Sequence, residues 1–388
     1  MAPLKILVIS PTNIFPPVHG GPSRTFYFCK YLAKSHDVLL VSPPAHGIRA
    51  ECTLPISHFE LNRRGRTPQF FDPVFVSRAA DLIRQERPDV IQTEFVWPGL
   101  HAILLKALTG VPFIVNEHNV EFARRRRMRS PIWPALWLYE LVVCRQAKSV
   151  FCVSELDRGL IVRLGVPLSK IAVVPNGVDV EVFFPSAMTA SYNQFGFDKR
   201  PSVLFFGALE YLPNRQAVDV IMDELVPRVV LRVPNVRFII VGRNPPVDKM
   251  HPNVVFTGAV DRIQDFINAS DVCICPLRIG GGTRLKIIES LACGKPVIST
   301  SVGAEGLVEE AIGYGVTIAD QWNDFASAIV DRLRNPASFE VNAAFLDTYS
   351  WERIVERCPY NNGMSTSLDL SNDLAQDSIA SSDQRDVS

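Results

Sequence analysis

The stretch Arg278-Ile-Gly-Gly-Gly-Thr-Arg-Leu-Lys-Ile-Ile-Glu289 holds three consecutive glycines, cations at Arg284 and Lys286, and a carboxylate one helical turn further on. It follows an apolar run, Asp271-Val-Cys-Ile-Cys-Pro-Leu277, that reads as a buried strand. Beyond it, Leu285, Ile288, Leu291 and Ala292 recur at helical spacing, Gly294 closes the helix, and Pro296-Val-Ile-Ser-Thr300 reads as the next strand. A glycine loop that opens a helix lets backbone N–H groups approach a phosphate, and the helix dipole favours the negative charge. Arg284 and Lys286 are expected in the first helical turn, where cations oppose the dipole unless an anion lies there. Glu289 can accept two hydrogen bonds from a ribose diol. Together these residues point to a nucleotide. A strand–helix–strand unit with a charged helix face is the alternative on these residues alone.

Elements that could position such a loop recur along the whole chain. Short apolar runs alternate with longer amphipathic ones: strands are expected at 5–10, 37–42, 89–92, 111–116, 149–153 and 171–174. A second set follows at 202–206, 237–241, 253–256, 271–276, 296–300 and 316–319. Helices fall between them, for example at 21–35, 73–85 and 154–164, with Asp72 and Ser154 as N-caps and Gly165 as a terminator. Unbroken Val/Ile/Leu strands separated by helices indicate parallel sheets covered on both faces. The expected fold class is α/β, with two doubly wound, Rossmann-like domains facing across a cleft. The first spans 1–178 and the second 201–336, joined by a linker at 179–200 where Pro175-Asn-Gly-Val-Asp179 supplies turn chemistry. Helices within 337–358 are expected to pack back toward the first domain. The Ser-, Asp- and Asn-rich segment 359–388 is expected to be a disordered tail.

Composition narrows the function. At 388 residues the chain suits two domains, and with 40 Lys+Arg against 40 Asp+Glu it has no net charge. Nucleic acid is therefore not an expected partner, since no global basic field exists to attract it. Eight cysteines lack zinc-site spacing, and thiols such as Cys273 and Cys275 within an apolar strand suit a reducing compartment. The N-terminus lacks a leader pattern, and no uncharged apolar run reaches about 18 residues. A cytoplasmic protein is expected, with peripheral contact to the inner face of the cell membrane left open. No metal site or cofactor is expected: His101 and His251 have no partners at ligand spacing. Nor is there a hydrolase signature, and Cys293 reads as a core residue.

Several short motifs in order, Pro16-Pro-Val-His-Gly-Gly21, Asn116-Glu-His-Asn-Val120, Val153-Ser-Glu155, Val174-Pro-Asn-Gly-Val-Asp179, Phe205-Phe-Gly207, Val241-Gly-Arg243, Asn253-Val-Val-Phe-Thr-Gly258 and the 278–301 stretch, resemble the family-4 retaining glycosyltransferases, of GT-B fold. The resemblance covers roughly 1–357 and is strongest to the bacterial polysaccharide-assembly subset. It implies a nucleoside diphosphate sugar as donor, held by Gly20 and Gly21 beside the diphosphate and sugar, by Gly281, Gly282 and Thr283 at the helix N-terminus, and by Glu289 at the ribose. Thr257 and Gly258 would lie at the base, and Gly207 at the end of the second domain's first strand. His118 would touch the transferred sugar near the reacting centre. Read locally, Gly20–Gly21 serve equally as a tight turn and His118 as a structural residue.

Two departures matter. The family usually carries a glutamate where Gly281 stands, which leaves the donor sugar open. It also has an Arg and a Lys shortly after Gly207, whereas here no cation appears before Arg215. A diphosphate leaving group needs positive charge as its bond breaks. Arg284, assigned a catalytic role with His118, and Lys286 are the expected substitutes, with Arg243 a third. Arg124–Arg127, followed by Trp133, Trp137, Leu138 and Tyr139, and joined by Arg63, Arg64, Arg66, Phe70 and Phe71, suit an anionic membrane surface or an ordinary solvated helix. The expected activity is transfer of a sugar, with retention, to a saccharide acceptor of lipid-linked type. A UDP-sugar epimerase using Glu117 and Glu121, and a non-catalytic nucleotide-sugar binder, are the alternatives.

Overall fold

The computed structural model describes residues 2–15, 17, 20–44, 54–60, 72–186, 200–246, 250–336 and 339–361. The first sheet comprises β1 (Lys5–Ile9), β2 (Asp37–Ser42), β3 (Ser57–Glu60), β4 (Val90–Glu94), β5 (Phe113–Asn116), β6 (Ser149–Cys152) and β7 (Ile171–Val173). The second comprises β8 (Ser202–Phe206), β9 (Arg237–Val241), β10 (Val254–Gly258), β11 (Val272–Cys275), β12 (Val297–Ser299) and β13 (Val316–Ile318). All pairs are parallel. The orders are β3-β2-β1-β4-β5-β6-β7 and β10-β9-β8-β11-β12-β13. Both sheets therefore reverse direction beside their first strand, between β1 and β4 and between β8 and β11. A doubly wound sheet opens a crevice for ligands at that switch, outside the carboxyl ends of the strands.

The strands form where the unbroken apolar runs lie, because both faces are covered. β4 and β5 are buried at every residue. The capping residues act as expected: Asp72 accepts from the N–H groups of Val74 and Phe75 (3.0 and 3.2 Å), and Ser154 from that of Asp157 at 3.1 Å. The edge strand β3 was not expected. Its residues, Ser-His-Phe-Glu, lack the apolar run of a central strand, and only pairing with β2 makes them extended.

The chain returns to the first domain at its end. Val178 donates to the Tyr349 carbonyl (2.7 Å) and Trp351 to that of Val178 (3.2 Å), and the helix Trp351–Glu356 then packs on Gly20–Leu32. Trp351, Ile354, Val355, Cys358 and Tyr360 join Ile6, Val8, Phe28 and Phe151 in one core. Truncating so buried a tryptophan costs about 3–5 kcal/mol. A tail beginning at 359 is corrected at its first residues: Tyr360 is 1 % exposed, and its hydroxyl donates to Gln92 Oε1 at 2.6 Å. A single aromatic in a polar context gave no periodic signal, yet one buried ring suffices to anchor the chain. Residues 362–388 lie outside the described residues, as do the linker segment 187–199 and Arg63, Arg64, Arg66, Phe70 and Phe71.

Candidate functional site

The carboxyl ends of β1, β4, β8 and β11 face each other across the cleft, and the chemistry-bearing residues sit there. On the first domain, Glu94 ends β4 with no exposed surface. It accepts from Thr25 Oγ1 at 2.9 Å, from Asn116 Nδ2 at 3.2 Å to each oxygen, from Gln92 Nε2, and from His118 Nε2 at 2.6 Å. Burial alone would raise the Glu94 carboxyl, but the bonds from His118 and Gln92 and the Arg24 charge hold it below its usual value. Burial pushes the His118 imidazole down, against the pull of Glu94. The pair is thus a carboxylate and a neutral imidazole whose Nε2–H donates to it. That tautomer leaves Nδ1 an acceptor, and it has no partner among the described residues.

Phe95 fixes the imidazole from the other side. Its ring lies 3.9 Å from that of His118, and its backbone is left-handed, with φ 64°. A β-carbon on Gly21 would come within 2.7 Å of the Phe95 ring, so glycine there lets the first helix approach the aromatic. Gly20 opens that helix, 4.0 Å from Leu285 of the second domain by the same measure.

On the second domain the glycine loop runs from the end of β11 into the helix Leu285–Ala292. Gly282 has φ 65°, and a β-carbon on it would lie 2.7 Å from the His118 carbonyl oxygen and 2.8 Å from Asn119 Oδ1. The loop therefore touches the histidine segment directly, and a side chain at 282 would be strained and obstructed. At Gly281 the β-carbon would meet only ordinary contacts, Asn119 Oδ1 at 3.4 Å and the Arg124 alkyl chain at 3.5 Å. Thr283 is tied across the cleft, its carbonyl and hydroxyl accepting from Asn176 Nδ2 at 3.1 and 2.7 Å.

The expected cations divide into three kinds. Lys286 donates to Asn214 Oδ1 (3.0 Å), lies 4.1 Å from the Phe205 ring centre, and underlies Gly207, whose β-carbon would be 3.2 Å from the ammonium. It thus places a charge beside the turn that carries none of its own in sequence. Burial, with Arg284 nearby, lowers the Lys286 ammonium to about 8. Arg284 is buried and is the N-cap rather than a first-turn residue. Its guanidinium donates to the carbonyls of Gly281 (2.6 Å) and Val302 (3.1 Å), with Glu305 at 4.0 Å, so it braces the glycine loop. Arg243 pairs with Glu210 at 2.8 Å on the exposed rim. Half-buried Glu289 lies further along the helix, and burial raises its carboxyl to about 7 against the opposing effect of Lys286. Thr257 and Gly258 end β10, the edge strand, away from the histidine; the Thr257 hydroxyl donates to the Gly258 carbonyl at 3.0 Å.

The arginine run does not form one exposed face. Helix Glu121–Arg127 turns about 100° per residue, so four consecutive side chains go round it. Arg124 pairs with buried Glu121 (2.6 and 3.1 Å), Arg127 reaches across the cleft to Glu305 (2.7 Å) and the Gly280 carbonyl (3.3 Å), and Arg126 stacks over Trp133 at 5.3 Å. Arg124, Arg127, Asp157, Gly281, Gly282 and Glu305 line a narrow gap between the domains. Glu94, Phe95, Arg24, Asn176 and Glu305 were not singled out as site residues. A carboxylate ending a wholly buried strand, as in Val90-Ile-Gln-Thr-Glu94, is the signal that could have found the first.

No group of three or more His, Cys, Asp or Glu side chains among the described residues is arranged to hold a metal ion. The seven described cysteines are buried and free. No helix among the described residues is long and apolar enough to cross a membrane.

Comparisons with known proteins agree with the fold. Residues 18–182 match the family described as Glycosyltransferase Family 4, and residues 200–335 match the one described as Glycosyl transferases group 1. The Escherichia coli UDP-Gal:alpha-D-GlcNAc-diphosphoundecaprenol alpha-1,3-galactosyltransferase is 25 % identical over 272 residues, 64 % of this chain and 67 % of its own. The D-inositol 3-phosphate glycosyltransferase of Mycolicibacterium smegmatis is 25 % identical over 307 residues, 71 % of this chain and 68 % of its own. The chain thus spans about two thirds of the length of these relatives. Among solved structures, Anabaena HepE in complex with UDP and glucose superposes with a TM-score of 0.72 at 16 % identity, over 91 % of this chain and 97 % of that one. The epimerase reading finds no support in these likenesses. With both domains matched in order and two parallel α/β domains facing across a cleft, the chain belongs to the family-4 glycosyltransferases and has the GT-B fold.

Proposed function

We propose that this glycosyltransferase moves a sugar from a nucleoside diphosphate sugar to a lipid-linked saccharide, with retention at the anomeric carbon and without a metal ion. The observation that carries the reading is the apposition of the Glu94–His118 pair to the glycine loop, with Lys286 beneath Gly207. A diphosphate at the N-terminus of helix Leu285–Ala292 would gain the dipole and the Lys286 charge as its bond to the sugar breaks. Arg284 would act through the loop carbonyls it holds. The His118 Nδ1 acceptor would take a hydroxyl of the transferred sugar, and Glu289 the ribose. Attack from the same face as the departing diphosphate, which takes the acceptor proton, requires no protein nucleophile. Lipid linkage rests on the name of the E. coli relative, whose acceptor carries diphosphoundecaprenol.

A panel of UDP- and GDP-sugars, with and without chelator, tests the donor and the need for metal. Turnover of one donor in excess chelator is expected. Binding without turnover on any polyprenyl-diphosphate saccharide would favour the non-catalytic alternative, and an epimerised donor in the absence of acceptor would favour the epimerase.

Contact with an anionic bilayer is part of the proposal, moved from the arginine run to the helix Trp133–Gln146. There Leu138 and Val142 are 57 and 44 % exposed beside Trp137, with Arg129 and Arg145 at the margins. Sedimentation with phosphatidylglycerol vesicles should fall as salt rises and be lost in Leu138→Glu/Val142→Glu. Equal behaviour with phosphatidylcholine, or no effect of the substitutions, would remove it.

A further inference from the structure

Among the described residues of the first domain, Arg24 is the most enclosed cation, 1 % exposed, and no carboxylate pairs with it. Its Nη1 donates to the Pro175 carbonyl (2.8 Å) and Asn176 Oδ1 (2.9 Å), and its Nη2 to the Val174 carbonyl (2.8 Å) and Asn116 Oδ1 (3.0 Å). Trp351 covers it at 5.7 Å. Burying a charge against neutral acceptors is expensive, and stability alone does not account for it. What the guanidinium does is join two amides that face in different directions. Asn116 passes its own N–H to Glu94, which holds His118; Asn176 passes its N–H across the cleft to the carbonyl and hydroxyl of Thr283. One unbroken hydrogen-bonded chain therefore runs from the histidine to Thr283, two residues ahead of the helix Leu285–Ala292.

We infer that Arg24 and Asn176 are positioning residues: they form an interdomain tie that completes itself only when the glycine loop is seated against the histidine segment, and so couple domain closure to the orientation of His118. This rests on the proposed transfer reaction. Each side-chain amide is oriented at both ends, since its oxygen is taken by Arg24 and its nitrogen is left to donate. If the domains part, Asn176 loses both bonds to Thr283, and the chain that holds Asn116 loses its anchor.

Two variants separate the tie from simple packing. Asn176→Asp keeps an acceptor for Arg24 but cannot donate to Thr283, and Thr283→Val keeps the shape while removing the hydroxyl. Each is expected to lower kcat about tenfold, from the loss of one or two neutral hydrogen bonds. For Asn176→Asp, the Kd for UDP or GDP, measured by calorimetry, should change less than twofold. X-ray scattering of the full chain should show a larger radius of gyration for both variants, while His118→Ala remains as compact as the native protein. Arg24→Lys should behave likewise if it folds, and the other two decide the matter if it does not. The tie is overturned if kcat stays within twofold, or if kcat and nucleotide affinity fall together with no change in scattering. Should the native chain turn over no donor, the transfer reading fails by itself, and the scattering comparison still judges the tie: expansion supports it and unchanged compactness refutes it.

Discussion

The two walls of the cleft are built on opposite principles. The first domain presents polar side chains that are buried and paired in advance: Glu94 accepts from four residues, and His118 is gripped between it and Phe95. The second presents mainly backbone, a glycine loop opening a helix, with half-buried Lys286 and Glu289 beside it. A wall of locked side chains suits a task in which one atom must stand in one place, here a hydroxyl near the reacting carbon. A wall of backbone donors with cations beside it suits a diphosphate whose charge changes during reaction. Locked side chains lie where the sugar is expected, and backbone donors with charge beside them where the leaving group is expected.

The sharpest test of that contrast is His118→Ala. Transfer should fall by at least about 100-fold, while the Kd for UDP or GDP changes little, because the proposed nucleotide site lies on the other wall. Most activity retained would make His118 an ordinary core residue. Next is Gly282→Ala, which combines a left-handed backbone with a β-carbon 2.7 Å from the His118 carbonyl oxygen. The backbone strain alone is about 1–2 kcal/mol, and the obstruction adds to it, so transfer should drop about 30-fold or more in steady-state assays. A neutral result would mean that the loop does not need to seat against the histidine segment.

Charge on the second wall has intermediate effects. Lys286→Met should weaken diphosphate binding about ten- to a hundredfold, the range of a charge-assisted hydrogen bond. The native protein adds a signature in pH. Lys286 titrates at about 8 and Glu289 at about 7 before ligand binds. The diphosphate prefers the protonated lysine, so affinity should decline as pH rises through 8; the ribose diol prefers the carboxylate, so it should also decline as pH falls through 7. Calorimetry from pH 6 to 9.5 should show both limbs in the native protein and no alkaline limb in Lys286→Met. Glu289→Gln should weaken nucleotide binding about tenfold and remove the acid limb; a diphosphate with a 2′,3′-dideoxyribose should be insensitive to it. The smallest effect belongs to Gly281→Ala, whose β-carbon finds room: activity within about twofold is expected, and a large loss would show that the Asn119 and Arg124 side chains must approach closer than they do here.

Much of the architecture was legible because parallel sheets covered on both faces write themselves as unbroken apolar runs, and because caps such as Asp72 and Ser154 sit at helix starts. The glycine loop, Lys286, Glu289 and the histidine segment could be picked out as candidates for a related reason: each is a short run of neighbouring residues that follows a strand. What sequence alone determined is therefore local, namely strand, loop, helix and the charges on them. Only the tertiary structure decided partnership. Glu94 meets His118 from 24 residues away, Arg24 meets Asn176 from 152, and Tyr360 reaches Gln92 from 268. It also decided that four adjacent arginines point in different directions, two of them into the cleft, and that Arg284 braces a loop. A hydrogen bond or ion pair has no period along the chain, and its partner is fixed by how the elements pack, so its geometry enters only when the two domains and the returning C-terminal helix are set against one another.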